Sequence, residues 1–126
     1  MRMKYVYILA GGALGSLIRF WVSELVSSKY PTAFPTGIFF VNITGAFIIG
    51  LLFGLFTVNG QLDDKLRFLL FVGFLGGFTT FSSFALENMR LLKDGFIFTS
   101  LLYIVLTNII GIGLAFTGYF LGLKLK

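Results

Sequence analysis

Read from its amino end, the chain sets long apolar runs against short polar punctuation, four times over. The first run extends from about Tyr5 to Val26 and is ended by "SSKYPTAFPT", which holds both prolines. The second runs from about Gly37 to Val58 and stops at "NGQLDDK", a turn signal followed by two acids and a lysine. The third starts near Leu66 and reaches about Leu92; "KDG" then leads into a fourth, about Phe96 to Leu123. A hydrocarbon core about 30 Å thick needs roughly 20 apolar helical residues per crossing. Each run meets that length, so the pattern predicts an all-α membrane protein of four transmembrane helices in one domain spanning residues 1–126. The opening "MRMKYVYILAGGALG" has the basic-then-apolar order of a secretory signal. The apolar pattern continues past Arg19 without a clear A-x-A site, so a retained first span is expected.

Composition narrows the chemistry. Only 12% of the 126 residues are charged and 57% are hydrophobic, with a mean hydropathy of +0.96. Soluble domains carry about 25% charged residues. There is no cysteine and no histidine, which removes thiol chemistry, disulfides, zinc-thiolate sites and the usual general base. No enzyme is expected. The net charge of +5 is spread in pairs near span ends, as membrane-flanking anchors are, and no contiguous basic face for nucleic acid is present. With four spans, Arg2, Lys4, Lys65, Arg67, Lys124 and Lys126 share one side, against Lys29, Arg90 and Lys93 on the other. That imbalance favours cytoplasmic termini.

Every span contains Gly-x-x-x-Gly: Gly11/Gly15, Gly50/Gly54, Gly73/Gly77 and Gly118/Gly122. In lipid, small residues let helix backbones approach closely, so these pairs predict a tightly packed bundle, with contacts extending between subunits.

The polar residues inside the spans carry the functional signal, because such groups are costly in lipid and face protein or water. In "GGFTTFSSF", Gly76 to Phe84, a double glycine precedes two threonines and two serines in the middle of the third run. Gly76-Gly77 is the expected break of the third helix near mid-membrane. A break there frees carbonyls of one half-helix and amides of the next, the material of ion sites. Beyond it, helical spacing places Thr80, Ser83 and Glu87 on one polar stripe and Phe78, Phe81 and Phe84 on an adjacent aromatic one. Plainer readings stand beside these: Ser and Thr bonding their own helix, Gly-Gly as close packing, Glu87 as a salt-bridged end residue. Asn42, in "FFVNITG", is a second intramembrane donor or an interhelical clamp; Arg19 is a snorkelling residue or a fixed charge at a vestibule. The inventory is rich in donors and positive ring edges and lacks mid-span acids, which points to anion movement.

At this stage the residues resemble a known family. "GGFTTFSSFALE" resembles the third-helix signature of the Fluc (CrcB-type) fluoride channels, "GGALGSLIRF" its first-helix stretch, and "PTGIFFVNITGAFIIG" its second-helix P-x-G…V-N-x-x-G pattern. The resemblance covers essentially the whole chain. It implies a passive fluoride channel in the cell membrane of a prokaryotic-type organism, formed by two four-span subunits in opposite orientations. Phe81 and Phe84 match the rings that line the fluoride pathways, and Asn42 the pore asparagine. Gly76 and Thr79 match the positions whose backbone carbonyls hold a structural sodium ion at the dimer axis. Thr80, Ser83 and Glu87, with Tyr103 and Thr107 on the fourth helix, match polar positions along the route; Arg19 matches the first-helix arginine. Ile38 and Gly111 depart from the family by lacking hydroxyls, which raises pairing with an oppositely oriented paralogue as an alternative to a homodimer.

Two other classes fit four spans. A proton-coupled exporter of the small-multidrug-resistance type needs a carboxylate deep in the first span, where the only acid is Glu24, at its end. A non-transporting assembly protein would account for the glycine pairs but not for the hydroxyl and phenylalanine cluster.

Overall fold

The computed structural model of the chain describes residues 2–56 and 62–125, and among these all regular structure is helical. Helix α1 spans Met3–Lys29 and α2 spans Thr36–Phe56. The third span is composite. Helix α3 covers residues 64–78 as an α-helical turn, Asp64–Leu66, a π-helical stretch, Arg67–Leu75, and a second α-helical turn, Gly76–Phe78. Helix α4, Phe81–Lys93, completes that span, and α5, Ile97–Lys124, is the fourth. All four spans are long and apolar enough to cross a bilayer, so this is a multi-pass membrane protein. The expected end of the second span at Val58 and the "NGQ" turn lie outside the described residues.

Local chemistry sets the ends. Asp63 starts α3 by accepting the Lys65 amide at 3.2 Å. The α4–α5 turn closes with Gly95 at φ +86° and the Phe96 amide on the Leu91 carbonyl at 2.8 Å, a left-handed ending that glycine adopts without strain. Between α1 and α2 the loop folds on itself, with Thr36 donating from Oγ1 to the Tyr30 carbonyl at 3.2 Å.

The glycines then decide the packing. A methyl on Gly11 would strike the Leu69 carbonyl, one on Gly15 the Phe74 carbonyl, and one on Gly77 would lie 2.5 Å from the Gly12 carbonyl. Thus α1 and α3 run side by side and parallel. In the same way Gly50 and Gly54 of α2 meet Ala115 and Tyr119 of α5, while Gly118 and Gly122 meet Phe47 and Leu51. Those two helices form a second parallel pair, antiparallel to the first. All four Gly-x-x-x-Gly pairs therefore serve contacts within one chain. The expectation that they extend to contacts between subunits is corrected: their Cα faces are already occupied.

The third span is broken as expected, but the position of the break is corrected. Gly76 and Gly77 are helical, with Gly76 at φ −63°, ψ −36°. The chain opens two residues later, at Thr79 (φ −83°, ψ 155°) and Thr80 (φ −150°, ψ 118°). Gly77 is needed for contact with α1, and the break forms where α2 offers partners for an extended backbone.

Candidate functional site

Those partners come from one side chain. Asn42 accepts the Thr80 amide on Oδ1 at 2.8 Å and donates from Nδ2 to the Thr80 carbonyl at 3.0 Å. An amide side chain thus takes the place of a neighbouring strand, satisfying both backbone groups of one extended residue. One turn along α2, Gly45 makes room: a side chain there would collide with the Thr79 methyl. Asn42 and Gly45 of "NITG" are a matched pair, one bonding the break and the other admitting it.

The consequences run in both directions along the third span. Since the Thr80 amide goes to Asn42, it no longer serves the Gly76 carbonyl, its partner in a continuous helix. The carbonyl end of α3, with the negative end of its dipole, lies at mid-span around Gly76 and Thr79. Gly76 is exposed, and a methyl on it would meet nothing closer than 4.0 Å. On the far side, Thr80 is the N-cap of α4, its Oγ1 accepting the Ser83 amide at 3.1 Å, and the same hydroxyl donates to Ser83 Oγ at 3.1 Å. The positive, amide end of α4 opens beside it. Thr80 is therefore not on a helical stripe with Ser83 and Glu87, as the spacing predicted; it is extended, and it caps the helix on which the other two lie.

Around the break lies a groove of about 420 Å³, lined by Asn42, Thr80, Phe81, Phe84, Thr107 and Asn108 among others. Phe81 is 79% exposed and lies 5.7 Å from Phe84, ring centre to ring centre. Phe84 in turn contacts Tyr103 at 5.0 Å, and Tyr103 meets Phe34 of the first loop edge-on at 5.3 Å. The hydroxyls of Tyr103 and Thr107 are buried and have no hydrogen-bond partner among the described residues. The two residues lie one turn apart on α5, Thr107 lining the groove and the Tyr103 ring packed against Phe84. Buried hydroxyls are ordinarily bonded, so two adjacent orphans mark a place where a bound species would complete them.

Phe78 is excluded from this ring set. It is buried and stacks on Phe74 at 5.8 Å in the α3 core. Glu87 lies further along α4, bonded to Arg90 at 3.0 Å, and lines a separate polar cavity of about 200 Å³ with Tyr30, Thr32, Phe34 and Ile38. Phe34, Tyr103 and Phe84 stand between that cavity and the groove. Arg19 lines a second groove on the other side of the break, with Ser16, Gly76, Thr79 and Ser82, and its Nε is buried without a partner. The structure thus gathers Asn42, Thr80, Phe81, Phe84, Thr107, Gly76 and Thr79 at one groove, with Ser83 bonded to Thr80 and Tyr103 against Phe84. It sets Glu87 and Arg19 at flanking cavities.

Sequence reasoning missed three groups. Gly45 has no signal beyond its spacing from Asn42. Asn88 and Ser100 are buried and bonded to each other at 2.9 Å, Asn88 also donating to the Phe84 carbonyl, and so tie α4 to α5. Asn108 is a mid-span amide that hydropathy alone would have flagged. No group of three or more His, Cys, Asp or Glu side chains able to hold a metal is found among the described residues.

A broken third helix braced by the asparagine of α2 is found in a chain whose residues 6–119 match the family model described as CrcB-like protein, Camphor Resistance (CrcB). The chain belongs to the CrcB-like family. Among its relatives, a protein of Aquifex aeolicus named "Fluoride-specific ion channel FluC" is 41% identical over 121 residues, 95% of this chain and 98% of that one. A protein of the same name from Thermus thermophilus is 44% identical over 119 residues, 94% of each chain. A third, from a Geobacter species, is 47% identical over 92 residues, 73% of this chain and 74% of its own. The full-length CrcB-like matches cover all four spans, including "NITG" and "GGFTTFSSF".

Proposed function

We propose that the chain forms a passive, fluoride-selective channel that lets cytoplasmic fluoride leave the cell across the cell membrane. The observation that carries this reading is the groove at the break, where the unpartnered Thr107 hydroxyl meets the Phe81 and Phe84 rings, with Tyr103 packed against Phe84. A small, strongly hydrated anion must exchange its water for closely spaced donors, and ring edges add an attraction weak enough to permit exit. The names of the relatives supply the anion's identity.

The groove lies open on the face of a single chain. At mid-span, lipid cannot satisfy its polar groups, so a second subunit in opposite orientation covers it. The carbonyls of Gly76 and Thr79 fit a sodium ion: they are hard oxygens, at the negative end of α3, left without their helical donors and unobstructed by a side chain. In the pair, two such carbonyls from each subunit would hold one ion at the axis and fix the breaks against each other.

Ile38 and Gly111 lack hydroxyls, but Asn42, Phe81, Phe84 and Thr107 all line the groove, which supports reading a homodimer first and pairing with a paralogue as the alternative. The test is fluoride efflux from liposomes holding only this purified chain. Rapid efflux without a pH gradient, lost in Phe81→Ile, is expected. Retention of fluoride by wild-type vesicles refutes the single-chain channel, and dependence on a pH gradient favours a coupled exporter.

A further inference from the structure

Asn108 lies twelve residues into α5, midway along a helix that crosses the membrane, yet it is exposed on a single chain. An amide facing lipid at that depth is unfavourable, so its position needs a reason. One of its N–H groups has an internal partner, the Ile104 carbonyl one turn back, at 2.8 Å. The primary amide has a second N–H and an oxygen with no such partner. Asn108 lines the same groove as Asn42, Phe81, Phe84 and Thr107, and it directly follows Thr107, whose hydroxyl is unpaired.

Asn42 sharpens the point. With Oδ1 and one N–H holding the Thr80 backbone, it has a single N–H to offer, less than a free amide would supply. A dehydrated anion in the groove then needs donors from α5. The internal bond to Ile104 fixes the plane of the Asn108 amide, so its remaining N–H is held ready rather than ordered on binding.

Resting on the channel reading above, we propose that Asn108 is a specificity-determining residue of the anion path, donating its free N–H to fluoride beside Thr107. The amide oxygen is left to accept from a hydroxyl or water. Asn108→Leu keeps the branching at Cγ, in a bulkier side chain, and removes the donor; Asn108→Asp keeps the shape and replaces the donor with a negative acceptor.

The experiment measures fluoride and chloride efflux from liposomes reconstituted with the full chain, alongside cross-linking of the reconstituted protein. Asn108→Leu is expected to slow fluoride efflux by about tenfold, the size of one lost hydrogen bond to a charged species, with the cross-linked dimer unchanged. Asn108→Asp is expected to be slower still, and Asn108→Ser to recover part of the rate. Fluoride efflux within twofold of wild type in Asn108→Leu overturns the assignment, as does a rate loss matched by loss of the cross-linked dimer. Wild-type vesicles that retain fluoride refute the channel reading itself and this assignment with it.

Discussion

Replacing Asn42 by alanine tests whether the break in the third span depends on α2. The substitution deletes two hydrogen bonds at once, to the Thr80 amide and the Thr80 carbonyl. Interhelical hydrogen bonds in membranes average about 0.6 kcal/mol by double-mutant cycles, which sets a lower bound of roughly 1 kcal/mol for the pair. Two backbone groups left buried and unpaired would cost about 1 to 3 kcal/mol each. The upper figure is reached only if Thr80 stays extended. It has an escape, because the freed Thr80 amide can return to the Gly76 carbonyl and let α3 run on into α4.

Escape limits the loss of stability to about 1 to 3 kcal/mol and destroys the site, since the Gly76 carbonyl is then occupied and Thr80 no longer caps α4. Reversible unfolding in mixed micelles measures the first effect; fluoride efflux from liposomes measures the second. Asn42→Asp is the sharper variant. Its second oxygen faces the Thr80 carbonyl where an N–H stood, so one bond becomes a repulsion while the other survives. A loss below about 0.5 kcal/mol in Asn42→Ala, with efflux intact, would refute the bracing role: the break would then be set by the third span alone.

The remaining expectations concern the packing and the orphan hydroxyls. Gly50→Ala drives a methyl into the Ala115 carbonyl and should cost about 1 to 3 kcal/mol in micelle unfolding, whereas Gly111→Ala, with nothing within 4 Å, should stay within about 0.5 kcal/mol of wild type. Equal losses in the two would contradict the pairing of α2 with α5. Tyr103→Phe and Thr107→Val remove buried hydroxyls that bond nothing among the described residues, so stability should hold or rise while fluoride efflux slows. A stability loss above about 1 kcal/mol in either would mean that the hydroxyl has a structural partner.

The number, order and approximate limits of the spans were legible because length and hydropathy alone settle them in lipid. The salt bridge of Glu87 was legible as well, being a local pair with Arg90. The position of the break was not. Glycine weakens a helix in water, which made Gly76-Gly77 the natural place to open it. Within the bundle that weakness is outweighed by close packing, since Gly77 lets α3 touch Gly12 of α1. Threonine, being β-branched, accepts the extended conformation, but only because a side chain 38 residues earlier bonds it. A partner so distant leaves no mark on the local pattern. Asn108 differs: hydropathy marks it as a mid-span amide, but only the groove shows where its unused N–H can serve.

The packing of the glycines bears on how two subunits would meet. The glycine pairs that most resemble a dimerisation signal are all engaged within the chain, so they cannot also form a symmetric zipper. The mid-span features left uncovered are of another kind: Gly76 at the carbonyl end of α3, the 79% exposed Phe81, and the amide of Asn108. In the proposed pair these would be the surfaces that meet, so the interface and the anion path share residues. Exposed aromatic rings would supply the apolar contact that holds the subunits together, and their edges would line the route. On that account a variant such as Phe81→Ile keeps apolar area while altering the ring edge. Dimer retention with lost flux would separate the two roles of one side chain.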